Sequence, residues 1–216
     1  MPVAGRRVSL QYALLSEQSL PALARAWLGQ LPPARRARVE RLREPADRAA
    51  TLCGVALLAA ACRALGCGLD AADLEYSERG KPRLRDGPEF SIAHAGGLVA
   101  CAAAVGGCLG LDVEAVGAVG AAPLRLVLDA EERAALAAGA LAPADAWVMK
   151  EAVLKAAGLG IEHARDVELR EERAWLAGAG YVLTRVHLSV LHVSWLATDG
   201  AAPLVEARRA AAGELT

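Results

Sequence analysis

Hydrophobic and polar positions change period several times along the chain, and each change marks an element. Residues 8–15 (VSLQYALL) read as a strand and residues 18–29 as a helix. Residues 31–66 read as two helical pieces parted near Pro45, because the residue before a proline is driven out of the helical region. The second piece, 47–65, is apolar almost all round and belongs in a core. Segment 73–79 reads as a short strand, Gly80-Lys81-Pro82 as a turn, and 88–105 as strand, turn, strand with its break at His94 and Gly96-Gly97. In 109–114 (LGLDVE), apolar and acidic positions alternate, as on a strand with two different faces. A helix start falls at Asp129 within 123–138, with Glu131 and Glu132 in its first turn. Residues 147–160 (WVMKEAVLKAAGLG) predict a helix that begins near Pro143 and stops at Gly158. Strand-like segments follow at 166–170, 181–187 and 189–198. The order of strands and helices before about residue 105 is echoed after it, which predicts an α+β fold of two similar halves, 1–105 and 106–216.

Composition narrows the classes. Of 216 residues, 55% are hydrophobic, enough for a sizeable core. The net charge of −1 gives no global attraction to nucleic acid or anionic lipid, so any electrostatic recognition is local. The five cysteines (Cys53, Cys62, Cys67, Cys101, Cys108) are odd in number and form no CxxC pair, which argues against a disulfide framework and a zinc site. The N-terminal apolar run is too short for a signal peptide, and the apolar segments 52–62 and 97–111 are too short to span a bilayer. A cytoplasmic protein without nucleic-acid or membrane partners is expected.

The candidate chemistry centres on the 147–160 helix. Trp147, Glu151 and Lys155 recur every four residues and share one stripe. Apolar residues fill the rest of that helix, so Glu151 and its neighbour Lys150 lie against an apolar body. Taken alone, Glu151 and Lys155 are an i,i+4 ion pair worth a few tenths of a kcal/mol. Asp112 and Glu114, two apart on one strand face, repel each other unless water or a cation joins them. Mg2+ suits such a pair, because it takes a few carboxylates together with waters and phosphate oxygens. Arg35 and Arg38 stand on one side of an arginine-rich helix, which is either a solvated face or an anion site. Lys81 sits in a turn, and His94 in a glycine-flanked one, where its ring is carried outside the sheet. Three carboxylates among cations fit a Mg2+–pyrophosphate site.

The ordered set GKP (80–82), FSIAHAGG (90–97), LGLDVE (109–114) and WVMKEAVLK (147–155) resembles the 4'-phosphopantetheinyl transferases, and within them the surfactin-synthetase-activating class. The resemblance covers roughly residues 30–165. It implies a pseudo-dimer of two α+β halves with coenzyme A in the cleft between them. It also implies transfer of the phosphopantetheine arm to a serine of an apo carrier protein (acyl, polyketide or peptidyl), with release of 3',5'-ADP by a monomeric enzyme. Carried over by motif, Asp112, Glu114 and Glu151 bind Mg2+, or Mn2+ in its place. Lys155 and Lys150 meet the pyrophosphate, and Lys81 and Pro82 lie along the adenine nucleotide. Arg35, Arg38, Thr51 and His94 surround the 3'-phosphate. The general base for the serine proton maps to Glu132, with Glu131 and Glu151 as rivals. The pattern departs from the family at Ala93, Ala95, Ala50 and Leu159, where hydroxyls or basic groups are common. Those departures bear on coenzyme A affinity rather than on the metal site. A non-catalytic coenzyme A or carrier-protein binding module, and a Mg2+-dependent nucleotide pyrophosphate hydrolase, are the competing readings. Loss of a metal carboxylate would favour the module, and turnover of coenzyme A without a carrier would favour the hydrolase.

Overall fold

The computed structural model describes residues 6–16, 19–77 and 79–216; Gln18 of the expected first helix and Glu78 of the expected 73–79 strand lie outside them. In chain order the elements are strand β1 (Arg7–Leu14), helices α1 (Ser19–Trp27), α2 (Pro33–Arg41) and α3 (Pro45–Ala64), then the short hairpin β2 (Leu74–Tyr76) and β3 (Pro82–Leu84). Strands β4 (Glu89–Ala95), β5 (Leu98–Ala104) and β6 (Leu109–Ala115) follow, with helices α4 (Ala121–Val127), α5 (Ala130–Ala137) and α6 (Pro143–Ala157) after them. The chain ends in β7 (Glu168–Arg170), β8 (Arg173–Leu176), β9 (Ala179–Arg185), β10 (His192–Asp199) and β11 (Leu204–Arg209).

The architecture is α+β, as expected: a four-stranded sheet in the order β11-β1-β5-β4, a five-stranded sheet in the order β6-β10-β9-β8-β7, and the β2-β3 ribbon. Each large sheet has one long helix against it. On the first, Phe90, Val99, Cys101 and Ala103 pack with Leu52, Val55 and Leu58 of α3. On the second, Val193, Trp195 and Ala197 pack with Val148, Ala152 and Val153 of α6. A third cluster lies between the sheets and joins Leu10, Leu98 and Ala102 to Leu109, Leu111, Val113 and Leu196. The sheets also meet edge to edge. The backbone N–H of Leu111 on β6 donates to Ser91 Oγ on β4 at 2.9 Å, so a side chain satisfies a buried edge where no ladder partner stands.

Three features bear on the sequence expectations. The boundary at residue 105 parts β5 from β6, but β11 crosses back and pairs in parallel with β1, and Leu215 joins the core of the first sheet. A helix starts at Asp129 as expected, α5, and a separate helix, α4, precedes it. Helix α3 takes the place of the expected 47–65 piece; it is long and apolar enough to cross a membrane, yet 72% of that window is buried inside the protein. It is the central helix of the first half. The five cysteines are free thiols; Cys53, Cys62 and Cys101 are buried, as small apolar side chains are, while Cys67 and Cys108 are partly exposed.

Candidate active site

Strand β6 and helix α6 form the site because they touch at backbone distance. Leu109, Leu111 and Val113 turn into the cluster between the sheets. The alternating positions Gly110, Asp112 and Glu114 therefore face α6. Gly110 is the point of closest approach: a methyl group there would overlap the carbonyl oxygen of Ala152 and the amide nitrogen of Ala156. Glycine at this position lets α6 lie flat on the strand, one turn from Glu151 and Lys155. Pro143 opens α6, and Gly158, in the left-handed conformation (φ 69°), closes it. The two Gly110 neighbours, Ala152 and Ala156, each follow a site residue directly.

This packing brings the expected acids and lysine together. Lys155 Nζ donates to Asp112 Oδ1 at 2.6 Å. Asp112 is buried, while Glu114 and Glu151 are half-buried. Glu114 Oε1 accepts from the amide of Ala115 at 2.9 Å. Burial raises the Asp112 pKa above the usual carboxylate value; the charge and hydrogen bond of Lys155 oppose this, and Glu114 adds to it. Burial likewise raises Glu151, followed by the charge of Asp112, with Lys155 opposing and Glu114 adding. The three carboxylates therefore feel one another, and each would be relieved by a cation. Their all-oxygen donor set suits a hard divalent ion such as Mg2+ or Mn2+. Among the described residues, however, no three His, Cys, Asp or Glu side chains converge closely enough to hold a metal as they stand. Lys155 takes the Asp112 oxygen that an ion would need.

Two cavities open along β4. One of about 230 Å3 is lined by Lys81, Pro82, Ser91, Ile92, Lys155 and Gly158. The other, of about 620 Å3, lies between His94–Val99 and the first turn of α3. His94 lines the second cavity and stands near the acids. Partial burial lowers its pKa first, and the charge of Lys155 lowers it further, against Asp47 and Asp112. Lys81 is already engaged: its Nζ donates to Leu109 O at 3.1 Å and Ala156 O at 3.3 Å, and it pairs with Glu89. It thus ties the 80–82 turn to both β6 and α6.

The arginine pair lies elsewhere on the first half. Arg35 and Arg38 stack on the ring of Tyr76, 5.1 and 5.4 Å from its centre. Arg35 is buried, its pKa lowered mainly by that burial, and its Nε and Nη1 have no hydrogen-bond partner among the described residues. Neither arginine lines the His94 cavity. Thr51 Oγ1 donates back to Asp47 O at 2.8 Å, within its own helix. Ala50 and Asp47 line that cavity in its place.

Two expected site residues leave the site. Lys150 follows Met149 and precedes Glu151, so it points about 100° away from the Glu151 stripe, into the interior. Its side chain is 1% exposed and pairs at 2.9 Å with Glu132, itself 2% exposed. Lys150 Nζ also donates to Ala164 O at 3.1 Å and to Val167 O. Glu132 closes a capping box with Asp129 and accepts from the Leu169 amide at 3.0 Å. A carboxylate so committed has no path to a serine hydroxyl, and Glu131 is turned outward against Arg170 at 3.0 Å. Lys150 and Glu132 are instead a clamp that holds residues 161–169 on α6. Lys150→Met is expected to lower unfolding stability by about 3–5 kcal/mol, because it leaves Glu132 buried without a cation. Lys150→Met/Glu132→Gln is expected to recover part of that loss. Denaturant unfolding checks both, and a loss under about 1 kcal/mol for the single variant would remove the clamp.

Three positioning residues carry weak or no sequence signals. Gly110 in a strand is a recognised mark of close backbone approach. Ser91 and His192, which tie the sheets together at the site, show no pattern at all.

Residues 108–208 match the family model described as the 4'-phosphopantetheinyl transferase superfamily. No curated protein matches the chain.

Proposed function

From the premise that residues 108–208 are a 4'-phosphopantetheinyl transferase superfamily domain, we propose that the protein moves the phosphopantetheine arm of coenzyme A to a serine of an apo carrier protein. The matched segment contains β6 and α6, and that domain supports phosphopantetheinyl transfer in general. The observation that carries the reading is the meeting of Asp112, Glu151 and Lys155 across those two elements, beside cavities lined by Lys81 and His94. We assign the surfactin-synthetase-activating class because the GKP and FSIAHAGG stretches lie outside the matched residues yet line the 230 Å3 cavity together with Lys155 and Gly158. On this reading the two sheet-and-helix units are the related halves of a pseudo-dimer, and the enzyme works as a cytoplasmic monomer.

Asp112, Glu114 and Glu151 would hold Mg2+, which when bound neutralises pyrophosphate charge. Lys155 is the group that changes partner: it gives up Asp112 for a phosphate oxygen and so meets the charge that develops as the phosphoanhydride breaks. The serine oxygen forms the new bond to the β-phosphorus, and the bond to the 3',5'-ADP oxygen breaks with its electron pair. With Glu132 locked in the interior and Glu131 turned outward, Glu151 is the carboxylate left to receive the serine proton. Arg35 and Arg38 would serve the 3'-phosphate; that Arg35 Nε and Nη1 have no hydrogen-bond partner among the described residues supports this. Arg38→Ala is then expected to weaken coenzyme A about tenfold, the scale of one charged hydrogen bond, and to leave 3'-dephospho-coenzyme A little changed. Calorimetric titration of both ligands checks this, and equal losses would take Arg38 away from the 3'-phosphate.

The function is tested by the intact mass of apo acyl, polyketide and peptidyl carriers after incubation with the protein, coenzyme A and Mg2+. A gain of one arm, blocked by EDTA, is expected. Coenzyme A consumed without any carrier would point to a hydrolase, and coenzyme A bound without transfer to a binding module.

A further inference from the structure

His192 opens β10 opposite Ala115, the last residue of β6. Its position in the alternation is that of Ser194 and Leu196, and Leu196 faces the first sheet, so the ring points across the junction between the halves. There Nε2 lies 3.0 Å from the carbonyl oxygen of Ala95, the residue after His94. Because Ala95 O can only accept, Nε2 carries the proton. The other ring nitrogen, Nδ1, is buried and has no hydrogen-bond partner among the described residues.

The turn beneath the ring is shaped for this contact. Gly96 has φ 50°, and a methyl group on it would stand 3.0 Å from His192 Nε2 and 3.4 Å from the Ala115 side chain. The far side of the turn is fixed by the Leu15 amide, which donates to Gly97 O at 2.8 Å. The adjoining loop is fixed by the Val116 amide, which donates to Leu191 O at 2.9 Å. His94 is not at the break expected from the sequence: it is the next-to-last residue of β4, paired with Val99 of β5, and the hairpin end beyond it is held at Gly97 by Leu15 and at Ala95 by His192. The second hold lies next to His94 and, together with the Leu111–Ser91 bond farther along β4, sets its place relative to Lys155 and Asp112.

We infer that His192 is a positioning residue: by donating to Ala95 O it pins the end of the β4–β5 hairpin to β10 and holds His94 in register with Lys155 across the cleft. The inference rests on the coenzyme A reading above for its functional consequence, and on the hydrogen bond alone for its structural one. His192→Leu fills the same space without a donor, whereas His192→Gln keeps an N–H at similar reach. In the full-length protein, His192→Leu is expected to raise the Kd and KM for coenzyme A about tenfold, the upper end for one neutral hydrogen bond, with kcat within about threefold of wild type. His192→Gln is expected to restore most of the affinity. Wild-type affinity in the leucine variant, or equal losses in both variants, would overturn the inference. A long-range 1H–15N spectrum of the unsubstituted protein tests the bond without any ligand or variant. An Nε2-protonated His192 is expected, and an Nδ1-protonated ring overturns the assignment. If wild type binds no coenzyme A, the proposed function fails while the spectrum still decides the role of His192 in the turn.

Discussion

Asp112→Asn is expected to lower phosphopantetheine transfer about a thousandfold, the scale of losing a main electrostatic group of a transition state, while the protein stays folded. The argument has two halves. Asparagine keeps the shape of the side chain and an oxygen at the same reach, so packing between β6 and α6 is unchanged. It removes the charge that Lys155 pairs with and that a divalent cation would need. The stability side follows from linkage. Asp112 and Glu151 both have folded pKa values raised above the unfolded ones, so the folded state binds their protons more tightly. Their stabilising contribution is complete below the unfolded carboxylate pKa and is lost as pH rises towards the folded values. At neutral pH the metal-free protein therefore carries carboxylates it charges at a cost. Asp112→Asn is expected to leave its melting temperature unchanged or raise it. Steady-state transfer rates and melting curves in EDTA read the two effects separately. A variant that transfers at the wild-type rate would sink the metal and charge assignment; one that melts far below wild type would turn the loss of activity into a folding defect.

The fold was legible wherever periodicity was strong. The apolar 47–65 run, the strand-turn-strand of 88–105 and the alternation of LGLDVE all became the elements they predicted, because burial on one face or all round writes itself into the sequence. Strand β11 was not legible: Leu204–Arg209 (LVEARR) is an edge strand with mostly exposed side chains, so its place is set by pairing with β1 rather than by an apolar face. Strand β8 was too short to show a period. In the site, the Asp112, Glu151 and Lys155 constellation was readable, since one lies on a strand face and two on one helical stripe. The direction of Lys150 was readable in principle from the same helical wheel. Its place beside Glu151 in sequence drew it into the site, although a one-residue step on a helix turns the side chain away. The interior place of Glu132 was illegible for a different reason. A capping box explains the acid locally, but the lysine that buries it arrives from another helix 18 positions on, and no local pattern carries that. His192 likewise acts on Ala95 through tertiary structure alone.

Gly110→Ala is expected to cost roughly 3 kcal/mol or more and to abolish transfer, although it adds one methyl group far from any substrate. The added carbon would meet backbone, the Ala152 carbonyl and the Ala156 amide, and would stand 3.0 Å from the Ala156 Cα. Backbone inside a helix cannot step aside by a rotamer change, so α6 as a whole must lift from β6. That lift separates Lys155 from Asp112 and opens the cluster beneath Ala152 and Val153. Gly54 provides the internal contrast, since it is the matching approach of α3 to the first sheet. A methyl there would lie 2.9 Å from Ile92 Cγ2, the end of a half-buried side chain that can turn. Gly54→Ala also gains the helix preference of alanine, about 1 kcal/mol, which offsets the crowding. Gly54→Ala is therefore expected to fold with stability within about 1 kcal/mol of wild type, and Gly110→Ala to fall well below it. Denaturant unfolding of the two variants side by side decides the matter. If both lose the same amount, the approach of α6 is no tighter than that of α3, and the site does not depend on backbone contact at Gly110. If Gly110→Ala alone collapses, the glycine between two leucines is what brings the helix bearing Glu151 and Lys155 down onto the strand bearing Asp112.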